Sequence, residues 1–221
     1  MRRAIVLFAA LLLSAGCAVE HTQTDLRSIK RADRDALRGA SNVVVVMYAP
    51  RTPTYNGYVD QRSIDIRTQT GVEAPLDRVR ERVVARLVEL GYPAALKRPP
   101  VMVASDRFAD IRASVTAPLV LDFDTRSWGL GNLRGGGDPK PDDPIYTHHH
   151  VRARLIRLSN DPNVKDQILW QAVCGLRGYK GDETVKQKDL VATGGVVLRQ
   201  KLEAAADGCA DELVAFFQGA D

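Results

Sequence analysis

Two stretches of strict alternation constrain this chain more than anything else in it. "PLVLDFDT", 118–125, sets Leu119, Leu121 and Phe123 against Val120, Asp122 and Asp124. "HVRARLIRL", 150–158, sets Val151, Ala153 and Leu155 against Arg152 and Arg154. Successive side chains point to opposite sides of a strand, so period two gives each strand one apolar and one polar face. "QILWQAVCG", 167–175, follows through the turn "SNDPN" and reads as their neighbour. Strands of this kind describe an antiparallel sheet covered on one side.

Helices supply the cover. Over 75–90, Leu76, Val79, Val83, Leu87 and Leu90 recur every three or four residues, Pro75 suits the first turn and Gly91 the end. Over 194–217 the same spacing runs through Leu198, Leu202, Ala205, Cys209, Leu213 and Phe216. Upstream, "NVVVVMY", 42–48, reads as a buried strand, "VMVAS", 101–105, as a short strand, and 105–113 as a short helix. "LRSIKRADRDALRG" forms a short helix closed by Gly39. Residues 51–71 hold either a hairpin around Asn56-Gly57 or a mobile loop, and Gly, Pro and Asp make 129–144 a long exposed loop. The expected architecture is α+β, a mostly antiparallel sheet of about four to five strands with helices packed on it.

The amino-terminal end has a different logic. Arg2 and Arg3 precede an apolar run from Ala4 to Leu13. That run is too short to span a bilayer, which takes roughly 20 residues, but it suits the core of an export signal. Leu13-Ser14-Ala15-Gly16-Cys17 resembles the lipobox of bacterial lipoproteins, with Ser14 where that family more often has Leu. The resemblance implies a signal peptide over 1–16, acylation of Cys17, a lipid-anchored tether over 17–41 and one periplasmic domain over 42–221. Ala18, in place of the Asp that favours inner-membrane retention, implies the periplasmic face of the outer membrane. The alternatives are an ordinary secretory signal cut nearby and a buried helix, and the second lacks the polar positions and caps it would need.

Without residues 1–16 the net charge falls from +4 to +2, because that segment holds two arginines and no acid. Acids interleave with the remaining bases, so nothing reads as a nucleic-acid surface. A hydrophobic content of 45% supports a real core. In an exported chain the two remaining cysteines, Cys174 and Cys209, read as a disulfide, the alternative being two buried thiols. Cys209 lies on the apolar stripe of the closing helix, facing the sheet that carries Cys174. With lipobox, cysteine pair and element order together, residues 42–217 resemble a group of envelope lipoproteins. The group includes the peptidoglycan-synthase activators, the curli-secretion pore family and the amino-terminal domain of TolB. What that resemblance implies is a non-catalytic adaptor or assembly role with an envelope protein partner, and no cofactor.

Residues that carry chemistry elsewhere are weighed against plainer roles. His148 and His150 in "YTHHHV" share a strand face and could ligate together, but a zinc site needs three or four ligands. Asp122 and Asp124 also share a face and could serve acid–base chemistry, with Arg152 and Arg154 on a neighbouring strand offering simple pairing across a wet face. These four define the rival reading, a periplasmic hydrolase or metal-binding protein. "GNLRGGG" lacks the Lys-Ser/Thr that completes a phosphate loop, and no G-x-S-x-G is present. Trp128 and Trp170 read as sheet packing. No catalytic residue and no metal ligand is assigned. Tyr55 and Tyr58, flanking Asn56-Gly57, are the partner-binding candidates, since Tyr is enriched in binding hot spots.

Overall fold

Strand and helix alternate through the first half of the domain and hairpins follow in the second, and this change of rhythm sets the topology. A computed structural model of the protein describes residues 26–49, 51–56, 70–132, 140, 142–161, 163–175 and 184–219. In chain order come α1 (Arg31–Arg38), β1 (Val43–Tyr48), β2 (Thr54–Asn56), α2 (Leu76–Glu89) and a 3-10 turn at Ala94–Lys97. Then follow β3 (Val101–Val103), α3 (Phe108–Ser114), β4 (Leu119–Asn132), β5 (Pro144–Arg157), β6 (Gln167–Val173), β7 (Val185–Lys186) and α4 (Gln187–Gln218).

The strands form one seven-stranded sheet of order β3-β1-β4-β5-β6, with β2 added beside β4 and β7 beside β5. This corrects the expectation of a mostly antiparallel sheet of about four to five strands. β1 pairs parallel with both β3 and β4, and β2 pairs parallel with β4. Only the pairings of β5, with β4, β6 and β7, are antiparallel. The physical reason lies in the connections. A hairpin reverses the chain, whereas a helix between strands carries it back to run parallel. α2 lies between β1 and β3, and α3 between β3 and β4. A parallel strand covered on both faces reads as an unbroken apolar run, which is what "VVVVMY" is.

On one face, Val45, Met47, Leu121, Phe123, Ala153, Leu155 and Trp170 meet Val79, Val83 and Leu87 of α2 and Leu213 and Phe217 of α4. Phe217 packs edge-on against Trp170 at 5.0 Å and Tyr92 at 5.4 Å. Cys174, one residue past β6, reaches disulfide distance of Cys209 on α4, with the Cα atoms 5.0 Å apart. Closing the loop between these cysteines, 35 positions apart in sequence, stabilises the fold by about 4 kcal/mol in the chain-entropy model. The opposite face is covered by α3, where Ile111 and Phe108 meet Val46, Val103, Val120 and Ile156. α4 begins earlier than the periodicity over 194–217 indicates, and Gly194 and Gly195, at φ 65° and 74°, interrupt its regular course.

Two loop expectations are also revised. β4 continues to Asn132 and β5 starts at Pro144, so both ends of the supposed loop 129–144 are strand. Gly129, at φ 144°, lets the backbone of Thr54 come close enough for β2 to pair, since a Cβ there would strike the Thr54 carbonyl. Residues 26–41 do not belong to a tether. Arg27 pairs with Gln171 on the outer edge of β6, and Ile29 and Leu37 are buried in the core.

Candidate functional site

The sheet's second face becomes polar beyond the patch that α3 covers. Asp122 lies opposite Arg154 and Asp124 opposite Arg152 in the β4–β5 register. The pairing is the one alternation implies, but the face is not wet: Asp122, Asp124, Arg152 and Arg154 are 0%, 4%, 7% and 5% exposed. Arg154 donates from Nε to both oxygens of Asp122 at 3.1 and 3.0 Å and from Nη2 to Oδ2, and Tyr48 donates its hydroxyl to the same oxygen at 2.5 Å. Burial, then the negative charge of Asp122, pushes the Tyr48 phenol far above its ordinary range. Burial opposes the charge on Arg154, but the Asp122 hydrogen bond and charge outweigh it and hold the guanidinium protonated. Asp122 therefore acts as a saturated acceptor.

Asp124 has different surroundings. The β4–β5 ladder shifts register between Thr125 and Ser127, leaving Arg126 as an extra residue on β4. Bulges of this kind re-aim side chains, and this one turns Arg126 towards Asp124, with Nη1 3.3 Å from Oδ2. Arg51, just after β1, reaches the same oxygen at 3.4 Å and Arg152 reaches it at 3.3 Å. Arg152 also donates to Asp106, in the turn after β3, at 2.8 Å. Burial works to raise the Asp106 carboxyl, but the hydrogen bond and charge of Arg152, helped by Arg154 and Arg126, hold it below the usual carboxylate range.

The histidines continue along this face. Tyr146, His148 and His150 form a row, with ring centroids 6.2 and 5.7 Å apart. His148 Nε2 shares a hydrogen bond with Thr54 Oγ1 and His150 Nδ1 one with Ser127 Oγ, each at 3.0 Å. His149 points to the other face, beside Trp128, and both its ring nitrogens are buried without a partner. Burial, with a contribution from His150, lowers His148 to about 4; burial, with His150 and His148, lowers His149 to about 3. Among the described residues no group of three His, Cys, Asp or Glu is arranged to hold a metal.

Tyr55 lies on β2 and packs against the Trp128 and Leu130 cluster, while Tyr58, Cys17 and most of "GNLRGGG" lie outside the described residues. Trp128 and Trp170 are fully packed in the two clusters of the helix-covered face. The residues that periodicity did not single out are Arg51, Arg126 and Asp106. A signal for Arg126 was available: Thr125-Arg126-Ser127 breaks the alternation with three polar residues in a row. Arg51 and Asp106 follow short strands, and nothing local marks them.

No family model matches this chain, and no curated protein matches it. Among solved structures, it is similar to the crystal structure of a Xanthomonas campestris protein of family DUF330, at 14% identity over 88% of this chain and 94% of that one. The TM-score is 0.24, so the likeness carries no argument about fold or function.

Proposed function

We propose that this chain is an outer-membrane lipoprotein, held by an acylated Cys17, whose periplasmic domain serves as a non-catalytic adaptor or assembly factor in the bacterial envelope. The membrane part rests on Leu13-Ser14-Ala15-Gly16-Cys17; among the described residues no helix is long and apolar enough to cross a membrane. One observation carries the adaptor part. The two aspartates best placed for acid–base work are both committed to arginine donors, and Asp122 is wholly buried. A general base must be within reach of the proton it takes; Asp122 is not, and Asp124 is 4% exposed behind Arg51, Arg126 and Arg152. The rival built on His148, His150, Asp122 and Asp124 has no comparable observation in its favour.

Two measurements test this. In membrane fractionation the wild-type protein goes to the outer membrane and Cys17→Ser does not; an unchanged distribution, with normal processing, refutes the anchor. Cross-linking in intact cells followed by purification from solubilised membranes recovers a stoichiometric envelope protein. A chain that is always alone, and that turns over an ester or peptide substrate in a manner abolished by His148→Ala, refutes the adaptor.

A further inference from the structure

We infer that Arg51, Arg126 and Arg152 form a receptor for a single carboxylate presented by a protein partner, entering between the segment after β1 and the turn after β3. The inference deepens the adaptor reading by naming the chemistry of its partner. Three guanidiniums converge on one oxygen of Asp124, at 3.4, 3.3 and 3.3 Å. Well-formed charge-assisted bonds lie at roughly 2.7–2.9 Å, so no one of the three is closely bound to it. Asp106 takes Arg152 at 2.8 Å but approaches Arg126 only to 4.0 Å. Among the described residues, three cations therefore share two carboxylates and one positive charge is left over, because Arg154 and Asp122 neutralise each other beneath.

The donors are arranged as a fixed floor with adjustable walls. Arg152 is 7% exposed, and its Nε–H has no partner. Buried donors are almost always satisfied, so this one is open to an acceptor that reaches it. Arg51 and Arg126 have side chains 51% and 35% exposed, so each can turn towards a ligand while Arg152 stays beside the buried Asp124. A planar fork matches a planar carboxylate in a bidentate way, and a monoanion matches the surplus charge where a phosphate dianion does not.

The test needs no identified partner. The full acylated chain in detergent is titrated with sodium acetate at constant ionic strength, following the arginine side-chain Nε–H resonances. Arg152 and Arg126 should shift saturably while Arg78, in an exposed pair on α2, does not. Arg51→Gln and Arg126→Gln, each keeping the wild-type melting temperature, should weaken acetate at least tenfold. Either variant alone decides if the other fails to fold. No saturable shift, an equal shift at Arg78, or wild-type affinity in the variants overturns the proposal. Tighter binding of dimethyl phosphate than acetate overturns the carboxylate in favour of a phosphodiester. Failure here leaves the adaptor role standing, since that role is read by cross-linking and co-purification.

Discussion

The two faces of β4 and β5 use alternate residues of the same strands, and both are buried. Under α2 and α4 lie Leu121, Phe123, Ala153 and Leu155; on the reverse lie Asp122, Asp124, Arg152 and Arg154. The first face is held by area removed from water, roughly 25 cal/mol per Å², and tolerates any close-packed shape. The second is held by charges whose desolvation must be matched partner by partner. Alternation therefore tells which residues share a face, and it does not tell whether that face is wet.

Breaking one partner on each face gives the largest effects. Asp122→Ala strands Arg154 and Tyr48 in the interior and should cost about 3–5 kcal/mol, as large as Phe123→Ala opposite it, also about 3–5 kcal/mol. The faces part in the double variant: Asp122→Leu with Arg154→Met should cost less than Asp122→Ala alone, because no unpaired charge remains. Urea unfolding of the three variants checks this, and a double variant as costly as Asp122→Ala would show that the ion pair is a net source of stability.

Cutting the staple of the apolar face comes next. Cys174→Ala should cost about 2–4 kcal/mol, and alkylation of the native protein should label Cys174 and Cys209 only after reduction.

The histidines divide between the faces and sharpen the contrast with pH. Both have folded pKa values below the ordinary 6.5, so the unfolded chain binds more protons and stability falls as pH drops through 6.5 towards 4 for His148 and 3 for His149. By pH 5 each should have lost about 2 kcal/mol relative to pH 7. His149→Leu removes two unsatisfied buried nitrogens on the apolar face, so it should raise the neutral-pH melting temperature and flatten the acid limb. A steeper limb in that variant would contradict the assignment. The smallest effect belongs to neither face: Arg78→Ala, which removes an exposed pair to Asp207 between α2 and α4, should leave the melting temperature unchanged by calorimetry.

Much of this organisation was legible. Helical spacing located α2 and the later part of α4, period two located the middle of β4 and β5, and the expected pairing of Cys174 with Cys209 matches their disulfide distance. The parallel half was legible too, since Val43–Tyr48, Leu76–Glu89 and Val101–Val103 alternate strand and helix, but period two in the second half outweighed that rhythm. Thr54–Asn56 and Val185–Lys186 are too short to produce a periodicity, and they exist because the long strands β4 and β5 offer backbone to pair with. The arginine receptor was only half visible. Arg152 announces itself by alternation, while Arg51 and Asp106 reach it through tertiary placement that no local pattern records.

The pairing of Arg27 with Gln171, through backbone bonds of 2.8 and 3.0 Å, also has a mechanical side. Force applied to the chain at Arg27 reaches β6 through these two backbone bonds. Immediately past β6, Cys174 is bolted to α4 through Cys209. Force entering β6 therefore meets, one residue past the strand, a covalent link into the helix layer.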